Sequence, residues 1–172
     1  EDYENALPLY KEAYQLALEH KSIELQQVSG IMLIKYLCGA GYYSESLEYY
    51  NKIKPEIAFN PSMQNEVVKS YMELNKPDSA RIYLAARLLS ERGDKIVLNC
   101  MMAETYIPEG QEDSAFVFLD RAMKSYKEKA KNYQKQGREA ILPNCFLSPC
   151  YLFADLLWKK GKIQQASQYY MI

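Results

Sequence analysis

"NKPDSARIYL" runs from Asn75 to Leu84, and "GQEDSAFVFL" runs from Gly110 to Leu119. Both carry Asp-Ser-Ala at the same internal place, with Ala80 and Ala115 lying 35 positions apart. A phrase restated at such a period marks a repeat architecture, in which one supersecondary unit recurs and stacks on its neighbours. The same slots recur along the chain. A small residue stands at Ala6, Ser46, Ala80, Ala115 and Ala166, and four positions later comes a large apolar one, Tyr10, Tyr50, Leu84, Leu119 or Tyr170. Five positions before the small residue stands Gly41, Asn75, Gly110 or Gly161, and four before that Leu37, Tyr71, Tyr106 or Leu157. Further back lie the pairs Leu33-Ile34, Val67-Val68, Met102-Ala103 and Phe153-Ala154.

Each slot has a physical reason. The pair and the following large residue form one apolar stripe of a first helix. Glycine or asparagine then ends that helix in a left-handed cap. A second helix starts within two residues. Pro77 fits its first turn, where a missing N–H is no loss, and the carboxylates of Asp78 and Asp113 favour the positive helix end. The small residue lets the two helices approach, and the large one packs on the same face.

A two-helix unit of this period resembles the tetratricopeptide repeat (TPR) family, and the resemblance runs over nearly the whole chain. It is clearest in "MMAETYIPEGQEDSAFVFLDRAM" (101–123) and "FADLLWKKGKIQQASQYY" (153–170). It implies an all-α, right-handed α-solenoid of helix-turn-helix repeats. We expect a single array over residues 1–172: the second helix of a first repeat, then about four repeats, with an extended helix and a loop at 124–147. The helices are expected near 3–20, 22–39, 43–54, 61–74, 77–91, 94–107, 112–136, 148–160 and 163–172. There are departures from the family pattern. The small-residue spacings are 40, 34, 35 and 51, and Arg87 stands in a slot that alanine fills at Ala13 and Ala122.

Composition bounds the function classes. The net charge of −1 gives no reason to expect a nucleic-acid surface. No apolar run is long enough to span a bilayer, so no membrane contact by this segment is expected. The chain opens on Glu1 and closes within a helical pattern at Ile172, and we read it as a fragment of a longer chain.

No catalytic constellation is apparent. The one histidine, His20, falls near a helix end, where a polar side chain is ordinary, and one histidine makes a histidine-based metal site unexpected. There is no glycine-rich phosphate loop. Of the four cysteines, Cys38, Cys100 and Cys150 fall in apolar patterns. Cys145 and Cys150 are close enough in sequence to pair, although idle thiols are the reading we prefer. No cofactor and no catalytic residue is assigned, and an enzyme is the contrasting class. The segment Lys124–Arg138 carries Lys124, Lys127, Lys129, Lys131, Lys135 and Arg138 against Glu128 alone. This is either a solvated outer face, the preferred reading, or a basic face for an acidic partner.

The resemblance places binding in a concave groove lined by the first helices. The side chains assigned to it are Met32, Lys35, Asn65, Glu66, Lys69, Met72, Met101, Glu104, Tyr151, Asp155 and Trp158. Methionine suits adaptable apolar contact, and tyrosine and tryptophan are enriched among binding hot spots. Trp158 has two readings, as a groove residue or as packing for the extended helix before the loop. The family's lysine–asparagine clamp for a C-terminal carboxylate has no match, because Ile31 and Lys35 stand where those residues would fall. The implied function is a non-enzymatic scaffold that binds a protein or peptide partner. The phrases "PDSA", "EDSA" and "FADLLWKKGKIQQA" also look like TPR segments of bacterial signalling proteins. That likeness implies a sensory or dimerising segment, including a homodimer, of a membrane-linked transcriptional regulator or kinase, held outside the cytoplasm. A free cytoplasmic adaptor is the competing context.

Overall fold

The computed structural model describes residues 3–57, 63–90, 94–137 and 147–170. Among them every regular element is helical and no strand occurs. The helices belong to two units, Glu1–Tyr83 and Leu84–Ile172. In the first, α1 (Tyr3–Glu19) packs on α2 (Ile23–Gly39), α2 on α3 (Tyr43–Ile57), and α4 (Gln64–Glu73) on both α2 and α3. In the second, α6 (Lys95–Glu104), α7 (Glu112–Lys135), α8 (Leu147–Lys159) and α9 (Ile163–Tyr170) pack each on the next. Helix α5 (Pro77–Leu89) crosses the division between the units.

The recurring slots become the packing surfaces. Leu33, Ile34 and Leu37 are wholly buried in the first core with Val67, and Phe153, Ala154 and Leu157 are buried in the second. Each large aliphatic side chain so removed from water contributes roughly 1.5–3 kcal/mol. The small residues Ser46, Ala80, Ala115 and Ala166 are buried at the helix approaches. Ser46 shows how a polar group is tolerated there: its hydroxyl donates to the Ile34 carbonyl at 3.2 Å. Tyr170 departs from its slot. It is 40% exposed, while its neighbour Tyr169 takes the buried place and packs edge-on to Phe153.

The turn between paired helices has one geometry throughout. Gly41, Asn75, Gly110 and Gly161 have φ of +85°, +54°, +67° and +73°. The residue after each donates its N–H to the carbonyl of the large apolar slot: Tyr42 to Leu37 at 2.8 Å, Lys76 to Tyr71 at 2.8 Å, Gln111 to Tyr106 at 3.1 Å and Lys162 to Leu157 at 2.9 Å. These are six-to-one Schellman bonds, which satisfy carbonyls that a helix end would otherwise leave open. The same bond closes α1, from Ser22 to Ala17 at 3.2 Å, with Lys21 at φ +51°.

Two boundaries differ from expectation. Helix α3 runs through Pro55 to Ile57 instead of stopping at Lys54. Proline lacks one N–H donor, and so late in a helix only one backbone bond is lost. The helix expected over 94–107 ends at Glu104 and tightens into a 3-10 turn at Ile107–Glu109. Pro108 disfavours α geometry at the residue before it, and Thr105 stops the helix by donating its hydroxyl to Met102 O at 2.7 Å.

The closest approach is at Gly30. A Cβ there would lie 2.6 Å from Ile53 Cδ1 and 3.3 Å from Tyr14 Cε2, so α1, α2 and α3 converge on this glycine and a side chain there would displace the Ile53 methyl.

Candidate functional site

The first-helix residues fall into two sets. In the first unit, Met32 and Lys35 lie on α2, and Asn65, Glu66, Lys69 and Met72 lie on the adjoining α4. The two helices are tied where the Cys38 thiol meets the Glu66 carbonyl at 3.6 Å. Burial pushes the Cys38 thiol up from its ordinary range. Met32 is 38% exposed. Lys69 is exposed and reaches over the Tyr43 ring at 5.9 Å. One carboxylate oxygen of Glu66, Oε2, is buried and has no hydrogen-bond partner.

In the second unit, Met101 and Glu104 lie on α6, and Tyr151, Asp155 and Trp158 lie on α8. Helix α6 is apolar nearly all round and its Met101 is buried, so that side chain offers a partner little surface. Desolvation by the protein around it holds the Glu104 carboxyl above the usual carboxylate range, an effect that solvent screens because the side chain is exposed overall. Tyr151 stacks on Tyr170 with ring centroids 6.5 Å apart, and the Tyr170 hydroxyl donates to Asp155. That bond holds the Tyr170 hydroxyl above its ordinary pKa. Trp158 is 55% exposed.

A stripe outside the expected set stands beside Met32. Leu25 and Val28 are 55% and 58% exposed and share its face of α2 at helical spacing. The pairwise slots single out only residues that face the neighbouring helix. The signal for these two is that α2 is apolar on nearly every face, a pattern that ordinarily calls for cover on all sides.

Cys38, Cys100 and Cys150 are buried and form no disulfide among the described residues. Burial pushes the Cys150 thiol up to about 11, which keeps it protonated and poorly nucleophilic at neutral pH. Cys145, and with it the pairing considered above, lies outside the described residues, as does Arg138. His20 is exposed beyond the end of α1. Among the described residues no group of histidine, cysteine and carboxylate side chains is placed to hold a metal ion, and no helix is long and apolar enough to cross a membrane.

Residues 147–171 match the tetratricopeptide repeat family model. The matched stretch is α8, the left-handed turn at Gly161 and α9. The match supports a tetratricopeptide repeat there, and the same slots and turns recur in both units. Such repeats serve generally as protein-interaction scaffolds. No curated protein matches the chain.

Proposed function

We propose that this chain binds an extended or helical segment of a partner protein along its first-helix faces, with α2 and α4 as the principal surface. One observation carries the reading. Leu25, Val28 and Met32 keep 55%, 58% and 38% of their surface in solvent on a single face. A contiguous apolar stripe rimmed by polar groups is a common mark of an interaction site. Lys35 follows the stripe on α2, and the adjoining α4 carries Asn65, Glu66 and Lys69. In an apolar stripe with polar flanks, anchors at helical spacing supply the affinity and the flanking charges set register.

The test is selection of binding peptides from a displayed random library, followed by titration against single variants of the whole chain. Peptides that occupy this face should bind Val28→Asp and Met32→Asp at least about tenfold more weakly, a change of about 1.4 kcal/mol. Selected peptides that bind wild type and both variants equally would show that the face is not the binding surface.

A further inference from the structure

A second surface lies in the second unit. There a groove of about 580 Å³ runs between α7, α8 and α9. Its floor is aromatic: Phe116 stacks on Phe153 with centroids 5.2 Å apart, and Tyr169 meets Phe153 edge-on at 5.1 Å. Its rim is basic: Lys124 and Lys127 come from α7, and Lys162 stands at the start of α9. The one carboxylate in the lining, Asp120, pairs with Lys124 at 2.7 Å. Lys127 and Lys162 lie over the rings of Tyr169 and Phe116, at 5.2 Å and 5.6 Å, and meet no carboxylate among the described residues. Three ammoniums therefore surround an apolar floor with one negative charge among them.

The charge does not stop at the groove. Lys131 and Lys135 follow Lys127 at intervals of one helical turn, so a row of cations continues along the same face of α7. This is the basic segment that the sequence presents either as a solvated face or as a surface for an acidic partner. Beneath the row, Phe153 and Tyr169 belong to the buried core, and Phe116 is the partly exposed aromatic of the groove. The chain as a whole has a net charge of −1, so the positive potential is local to this surface.

We infer that the α7–α9 groove docks an acidic peptide segment of another protein, carrying one aromatic or large aliphatic anchor among aspartates and glutamates. The anchor packs on Phe116, the floor residue that keeps surface in solvent, above the buried Phe153 and Tyr169. Flanking carboxylates take Lys127 and Lys162 from their ring contacts into charge-assisted hydrogen bonds. Further carboxylates on one side extend along Lys131 and Lys135. Gln165 and Gln168 on α9 supply amides to the peptide backbone at the rim. A nucleic acid would use the cations but leave the apolar floor idle. This surface involves none of the first-helix residues invoked above, so either proposal stands or falls without the other.

The probe is a fluorescein-labelled peptide of about ten residues, alternating aspartate and glutamate around a central phenylalanine, titrated with the whole chain by anisotropy. Two control peptides replace the phenylalanine by alanine or every acid by its amide. Each control should bind at least about tenfold more weakly, and binding of the probe should weaken with salt without vanishing. The double variant Lys127→Glu/Lys162→Glu should lose at least about tenfold in affinity at an unchanged melting temperature, while Lys52→Ala, at a surface lysine outside both faces, should bind as wild type does. Several outcomes would overturn the proposal. These are equal binding of the probe and its alanine control, retention of affinity in the double charge reversal, tighter binding of a single-stranded oligonucleotide that displaces the peptide, and self-association of the chain that depends on the two lysines.

Discussion

The left-handed helix exits make a prediction whose sign, as well as size, is open to test. At Gly41, Gly110 and Gly161 an added Cβ would meet nothing within 4 Å, so an alanine there has room but the wrong backbone. Holding a side chain in the left-handed region costs about 1–2 kcal/mol. Alanine also restricts the unfolded chain, which returns about 0.4–1 kcal/mol. The balance is a loss of about 1 kcal/mol for each of Gly41→Ala, Gly110→Ala and Gly161→Ala, or about 2–4 °C in melting temperature. Lys21 is the mirror case. It is a lysine already held at φ +51°, so Lys21→Gly should stabilise the chain by about 0.5 kcal/mol. Gly41 and Gly161 lie in different units, so a double variant should show the sum of the single losses to within about 0.5 kcal/mol. The assay is thermal and urea unfolding followed by far-ultraviolet circular dichroism. If Gly110→Ala raises the melting temperature, as alanine for glycine does where φ is negative, or if Lys21→Gly lowers it, the account of these turns is refuted.

Other expectations follow from single contacts. Leu37→Ala, at a side chain with no exposed surface, should destabilise the chain by about 2.7–5 kcal/mol in urea unfolding, because it leaves a cavity in the first core. The Lys160 ammonium, hydrogen-bonded to Asp113, holds that carboxyl below the ordinary aspartate range, so the native state takes up this proton less readily than the unfolded chain does. The stabilisation is therefore present above the ordinary aspartate pKa and is lost as pH falls through the depressed value. Asp113→Asn should abolish this part of the pH dependence, and a carboxyl titration by NMR should report the depressed value directly. The buried Cys150 thiol, pushed up to about 11, should resist an aromatic disulfide reagent at pH near 8 in the folded chain and react at once in denaturant.

Much of the fold was legible because each slot answers to one local requirement. A glycine or asparagine five places before a small residue announces a left-handed turn, and all four such turns are there. Lys21 makes the same turn, but nothing in a lysine signals it; the Schellman bonds around it impose the geometry. Pro55 reads as a stop although a helix tolerates it near its end. The candidate surfaces were less legible for a different reason. Leu25 and Val28 look like core residues in sequence, and only the absence of a covering neighbour among the described residues exposes them. Met101 looks like its equivalent Met32 but is buried, because α6 is covered where α2 is open. The α7–α9 groove joins Phe116, Phe153 and Tyr169, which are distant in sequence and carry no shared motif.

The notch at Gly30 bears on how α2 finds its place. An apolar helix with little facial contrast has several nearly equivalent ways to lie between its neighbours, related by sliding one turn, about 5.4 Å, along its axis. Such a slide would bring the whole side chain of Gln26 or Ile34 to the point where even a Cβ would lie 2.6 Å from the Ile53 methyl. Every displaced alignment therefore meets a steric collision that the native one avoids. The missing side chain acts as an index mark, and it lets a helix that is greasy on all sides settle in a single axial position.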